Sequence, residues 1–285
     1  MTVLQDEVSA RAFAVRISEE TPRDRRGVNL LSDALAERGI VAERVEGRDG
    51  PYRKTDWEDD LRDSAAVFQQ AADHVRTAVT SGRRSVVLST DCSIAIGTFP
   101  AVHAARPEAK VVWFDSHSDF DTPVTTSGGF LGCMSLSGAC GVWDTGHGEF
   151  PLEQAILVGA RSLDDDFDIA GQRQAEASAL TMIPVAEDTA ERVVAAIGGA
   201  PVYVHIDPDV LDVSVNPVWY GRDRGFDYEQ VLTVLRGIAD ASDVIGVEMT
   251  ALHSPDDLGW RRRVTEFETD CVCTLLGVDA PGGVA

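Results

Sequence analysis

Two short stretches of this chain carry side chains spaced for metal chemistry. Asp115-Ser-His117-Ser-Asp119 follows the apolar run Val111–Phe114, and His205-Ile-Asp207-Pro-Asp209 follows Pro201–Val204. Extended backbone points residues i, i+2 and i+4 to one side. Two carboxylates and an imidazole from the first stretch can then meet two carboxylates from the second. Two clusters of hard ligands at the ends of two parallel strands are what a pair of divalent cations requires. The competing reading is a solvated acidic patch with a stray histidine. A third candidate, Asp91-Cys92, follows Val86–Leu88.

The elements that must position these groups are apolar runs of strand length. They are Ala12–Ile17, Val41–Val45, Ser85–Leu88, Val111–Phe114, Ala155–Val158, Met182–Val185, Val202–Ile206 and Val244–Glu248. Runs without internal alternation predict burial on both faces and hence parallel pairing. Helical patterns lie between them, among others over Gly27–Arg38, Trp57–Ser81, Ile94–Ala105, Glu187–Ile197 and Tyr228–Asp240. The βαβα succession predicts a single α/β domain over residues 1–285. Its architecture is three-layer α/β/α around a mostly parallel, roughly eight-stranded sheet. Residues 1–10 and 279–285 are the candidates for disorder. Ligands of such sheets bind beyond the carboxyl ends of the strands, where all three candidate clusters stand. The turn-rich segments Glu46–Lys54, Thr122–Gly132 and Val215–Gly225 are candidates to line the site.

A net charge of −22 disfavours nucleic acid and anionic membrane surfaces and favours cationic small molecules and divalent metals. No N-terminal stretch has signal-peptide form, and no apolar run approaches the ~20 residues that span a bilayer, so a cytoplasmic protein is expected. The five cysteines (Cys92, Cys133, Cys140, Cys271 and Cys273) are odd in number and do not form a disulfide framework.

The motifs resemble those of a known family. Trp113-Phe-Asp-Ser-His-Ser-Asp-Phe-Asp-Thr-Pro123 is similar to the second signature of the arginase/agmatinase (ureohydrolase) family. His205-Ile-Asp-Pro-Asp-Val-Leu-Asp212 is similar to the third, and Thr90-Asp-Cys-Ser-Ile-Ala-Ile-Gly97 stands in the place of the first. Order and spacing match from about Arg83 to Pro255. Ser137-Gly-Ala-Cys-Gly-Val-Trp-Asp-Thr-Gly-His147 and Cys92 resemble the actinobacterial Nω-hydroxy-L-arginine amidinohydrolase branch.

The resemblance implies two Mn2+ ions, with Asp115 and Asp207 bridging both. Asp119 and residue 92 would complete one metal, and His117 with Asp209 the other. It implies hydrolysis of a C–N bond in a guanidino or N-hydroxyguanidino compound, giving urea or hydroxyurea and an amine. Asp119 is the candidate to move the proton from water to the leaving nitrogen. A trimer or hexamer is implied as well.

This chain departs from the family pattern at several positions. Cys92 replaces a histidine ligand, and a thiolate is a softer donor, so another divalent metal is an alternative on that side. Ser127–Met134 contains no proton-shuttling histidine, which favours a less basic substrate than arginine. Asp121 replaces the asparagine that binds an α-carboxylate, and an ionised Asp121 would repel that group. Ser127 remains a polar contact, and Asp164 matches the aspartate that holds the α-amino group. The glutamate that grips the guanidinium is displaced; Glu248 is the candidate, with His253 in the following loop as a second. His103 and His147 read as packing or surface residues, and His205 as a group packed behind Asp207. Two other readings remain open: a formimino or amide hydrolase of the same fold, and a weakly active member kept as a regulatory or structural partner.

Overall fold

The computed structural model describes residues 7–15, 22–44, 55–163, 166–217 and 220–278. Strands and helices follow in the order β1 (Val8–Phe13), α1 (Pro22–Glu37), β2 (Ala42–Arg44), α2 (Trp57–Thr80), β3 (Arg84–Ser89), α3 (Ala95–Ala105) and β4 (Lys110–Phe114). Then come α4 (Ser135–Ala139), β5 (Ala155–Val158), α5 (Ile169–Glu176), β6 (Thr181–Ile183), α6 (Thr189–Ile197), β7 (Val202–Ile206), α7 (Tyr228–Ala241), β8 (Val244–Met249) and α8 (Leu258–Leu276). The strands form one eight-stranded sheet in the order β2-β1-β3-β8-β7-β4-β5-β6. Among the described residues every strand pairing in this sheet is parallel.

Alternate residues of each strand feed two cores. Val112, Phe114, Val204 and Ile206 pack with α1, α6, α7 and α8 through Leu31, Val193, Leu235 and Phe267. Val111, Trp113 and Tyr203 pack on the other face with α2, α3 and α4 through Phe68, Phe99 and Leu136. Burying a side chain such as the fully enclosed Phe99 contributes about 3 kcal/mol. Helix entry follows local chemistry. Asp227 and Gln230 close a reciprocal capping box at the start of α7, and Asp257 accepts from the Trp260 N–H at the start of α8.

The three-layer α/β/α reading holds, with a sheet that is wholly rather than mostly parallel. One strand is shifted. The run expected at Ala12–Ile17 instead pairs as Val8–Phe13 with Arg84–Ser89. Residues 8–10 are therefore sheet and not a loose end. Ser9 and Arg11, half-buried between buried neighbours, give this strand an alternation that the search for continuous apolar runs passed over. Glu46–Lys54, expected as a segment that could line the site, and residues 279–285 lie outside the described residues. Among the described residues, no helix is long and apolar enough to cross a membrane.

Candidate metal centre

The sheet brings the proposed ligands to its carboxyl edge, though not by the simple alternation expected. Strand geometry ends at Phe114, and Asp119 adopts φ +47°, a left-handed conformation costly for a residue with a side chain. Its carbonyl oxygen accepts the N–H groups of Leu136 (3.0 Å) and Ser137 (3.2 Å), which pin it there. Asp207 likewise leaves the strand and caps a 3-10 turn over Pro208–Val210, its Oδ1 accepting the Asp209 N–H at 2.8 Å. The ligands converge through turns held by their own carboxylates.

Asp115 is central. Its Oδ2 accepts from Trp113 Nε1 at 3.0 Å and its Oδ1 from the His117 N–H at 2.7 Å. His117 Nδ1 lies 2.9 Å from Asp209 Oδ2, and Asp209 Oδ1 accepts the Ser116 N–H at 3.0 Å. Cys92 Sγ, arriving from the end of β3, donates to Asp207 Oδ2 at 3.3 Å. Ligand atoms of Asp115, His117 and Asp209 fall within 4.8 Å of one another, as do those of Cys92, Asp115 and His205. Asp115 belongs to both groups. His205 is otherwise engaged: Nδ1 meets Glu248 Oε1 at 2.6 Å and Nε2 meets Thr250 Oγ1 at 3.1 Å.

The electrostatics are those of a cluster built for cations. Burial, then the neighbouring Asp209, pushes Asp115 up to about 6. Burial and adjacent carboxylates hold Asp119 and Asp207 well above the usual range. Burial works against the charged forms of His117 and Asp209, but their mutual attraction prevails. His117 is held well above its ordinary value, and Asp209 is lowered to about 2. Burial, then Asp207, drives the Cys92 thiol well up. Protons thus occupy sites where divalent cations would displace them. The donor set of carboxylates, one imidazole and one thiol fits two such ions, with the softer donor confined to one side.

These groups open onto a cavity of about 300 Å³, a volume suited to a small organic ligand. Asp121 and His253 are among the residues that line it. Burial raises the Asp121 carboxyl to about 6. Cys133 also lines the cavity. Ser127 does not: its hydroxyl donates to the Phe167 carbonyl at 3.1 Å, and the side chain faces solvent. Its neighbours Thr126 and Gly128 line the cavity in its place. Asp164 lies outside the described residues.

Glu248 requires a correction. It is fully buried, and it is absent from the cavity wall. Oε2 accepts from Thr98 Oγ1 (2.7 Å) and Tyr203 Oη (3.0 Å), while Oε1 pairs with His205. With both oxygens committed to the protein, Glu248 has none to offer a substrate. Sequence reasoning missed Glu268 on α8 and the aromatic residues Phe130, Phe167 and Tyr220, all of which line the cavity. Phe167 and Tyr220 pack near the His117 ring, with centroids 5.8 and 6.2 Å away. Arg222 ties this region down through ion pairs to Asp166 and Asp168.

Comparison with known proteins decides the lineage. The family model described as "Arginase family" matches residues 18–263. The chain belongs to the arginase family. It is 34% identical over 257 residues to the N(omega)-hydroxy-L-arginine amidinohydrolase of Streptomyces lavendulae, covering 90% of this chain and 89% of that protein. It is 28% identical to the arginase of Bacillus caldovelox over 263 residues, covering 80% and 86%. Among solved structures, the arginase of Bacillus cereus superposes with a TM-score of 0.79 at 20% identity, over 96% of this chain and 99% of that one. Membership in the arginase family makes this chain a metal-dependent hydrolase of the amidinohydrolase type, acting on guanidino C–N bonds.

Proposed function

We propose that this enzyme hydrolyses an N-hydroxyguanidino compound related to Nω-hydroxyarginine, or a close guanidino analogue, to hydroxyurea or urea and an amine. The observation that carries the reading is the convergence of Asp115, His117, Asp207 and Asp209 with Cys92 at the mouth of a cavity that Asp119 also lines. Two Mn2+ ions are the proposed cofactors; Cys92, Asp115, His117, Asp119, Asp207 and Asp209 are the residues that would hold them. When bound, they supply an activated water near neutral pH and polarise the group under attack.

The remaining work falls to the chain. Asp119 lines the cavity beside the cluster, where it can take a proton from the attacking water and return it to the leaving nitrogen. The segment Ser127–Met134 contains no histidine, so it supplies no imidazole to protonate the leaving amine. An N-hydroxyguanidine expels the same amine but is itself a less basic group, activated differently, and so fits a site without that imidazole. The similarity to the Streptomyces lavendulae enzyme supports the same choice. Asp121 on the cavity wall disfavours a carboxylate nearby and favours an amino group. We assign the protein to the cytoplasm and expect a homo-oligomer, trimer or hexamer, as the family resemblance implies.

The test is a substrate panel assayed with added Mn2+: Nω-hydroxy-L-arginine, L-arginine, agmatine, a formimino compound and a simple amide. Release of hydroxyurea or urea, highest with the N-hydroxy substrate, is the expected result. Formamide or ammonia from the last two, without either urea, overturns the reading.

A further inference from the structure

Glu268 is 1% exposed, and its Oε1 has no hydrogen-bond partner. The side chain lines the same cavity as the metal cluster. Its carboxyl is raised well above the ordinary value by burial alone, with no neighbouring charge contributing. An isolated buried carboxyl is costly, and natural cores rarely keep one at an inward helical position without use.

The other acidic groups on the cavity wall are committed. Asp91 Oδ1 accepts from Ser93 N at 2.8 Å. Asp119, Asp207 and Asp209 belong to the proposed metal cluster, and Asp121 accepts from Thr125 Oγ1 at 3.2 Å. Glu248, the carboxylate nearest the end of β8, is spent on His205, Tyr203 and Thr98. Position 251, where the chain leaves β8 and lines the cavity, is an alanine with φ +49°.

Sheet order shows where Glu268 enters. β8 lies between β3, which leads to Cys92, and β7, which leads to Asp207. The loop after β8 contributes Ala251 and His253 to the wall, and α8 then adds Val264 and Glu268, spaced i, i+4 on one helix face. Glu268 therefore approaches on the β3–β8–β7 side. Thr126, Phe130 and Phe167, from the segments after β4 and β5, form the other wall.

We infer that Glu268 is the substrate-specificity carboxylate of this enzyme: it pairs with the planar cationic guanidinium head through the oxygen that the protein leaves without a partner. This rests on the guanidino reading above. A guanidinium offers two parallel N–H donors that match the two oxygens of a carboxylate. Pairing also satisfies a group that is otherwise buried alone, and a neutral amide supplies neither charge nor fork.

The experiment uses the full chain loaded with Mn2+ and the variants Glu268→Gln and Glu268→Asp. Metal content, thermal midpoint, calorimetric binding of L-arginine and Nω-hydroxy-L-arginine, and kcat and KM are compared with the parent. Glu268→Gln is expected to keep its metals and a midpoint no lower than the parent's. Its affinity for guanidino ligands should fall on the order of 100-fold, the loss appearing mainly in KM. Glu268→Asp, which keeps the charge one methylene shorter, is expected to recover part of that affinity. Binding within about twofold of the parent in Glu268→Gln overturns the assignment and leaves the guanidino reading intact. A parent that binds and turns over no guanidino compound overturns the reading itself, and the role of Glu268 with it.

Discussion

Nδ1 of His205 lies 2.6 Å from Oε1 of Glu248 behind the metal cluster, and both side chains are fully buried. The imidazole stacks on Trp113 with centroids 3.4 Å apart, and its other nitrogen meets Thr250 Oγ1, which in turn lies 3.1 Å from Cys92 Sγ. The pair thus anchors a chain of contacts that ends on a proposed ligand. Such support orients ligands and tunes their affinity. Glu248→Ala should lower the unfolding free energy by about 3–5 kcal/mol, because it strands His205, Tyr203 and Thr98 without a partner. Urea denaturation checks this; an unchanged midpoint would remove Glu248 from the structural frame.

Cys92 places sulfur where carboxylates otherwise dominate. Cys92→His is expected to strengthen Mn2+ binding and shift preference away from softer ions. Metal titration of apoprotein with Mn2+ and Zn2+ reads this directly. Identical affinities and kinetics in the variant would put the thiol outside the coordination shell.

Asp119→Asn keeps the size and the left-handed backbone, which asparagine tolerates, but removes the group that moves protons. Turnover should fall at least about 100-fold with the thermal midpoint preserved. Metal analysis separates loss of an ion from loss of proton transfer, and parent-like kcat would refute the role.

His74, buried on α2 against the Phe13 ring, has no partner for Nε2. Burial, aided by Arg11, lowers its pKa to about 4. The unfolded chain takes up a proton near pH 6.5 that the folded chain refuses until about pH 4, so stability rises with pH across this window and is lost as pH falls through it. The contribution reaches about 3 kcal/mol. His74→Leu should flatten the acid limb of a stability–pH profile relative to the parent between these values. Parallel profiles would show that His74 does not govern it.

Much of the scaffold was legible because parallel strands buried on both faces read as unbroken apolar runs. The motifs that carry the proposed ligands are legible by their spacing, and the fold brings Cys92, Asp115, His117 and Asp209 into candidate groups of ligand atoms even where the backbone turns. What escaped depended on tertiary placement. Glu248 ends a strand that points toward the site, and only Thr98, Tyr203 and His205, each more than 40 residues away in sequence, show that it faces elsewhere. Ser127 was displaced by one residue, Thr126 taking the wall. Glu268 did leave a signal. Val264, Phe267, Glu268, Cys271, Val272 and Leu275 are all buried and follow the spacing of an inward helical stripe. A carboxylate in such a stripe marks an internal polar task, but α8 carries charged residues on its other positions and its period is easily overlooked.

The middle position of β8 has one more implication. Adjacent strands run about 4.8 Å apart, so the backbones of β3 and β7 are separated by two such intervals, yet a sulfur from one side touches a carboxylate from the other. Thr250, just past β8, touches both Cys92 and His205 and acts as the spacer. The position of the Cys92 sulfur therefore rests on a residue outside the proposed ligand set, which gives evolution or an engineer a way to shift that one donor while leaving every proposed ligand in place.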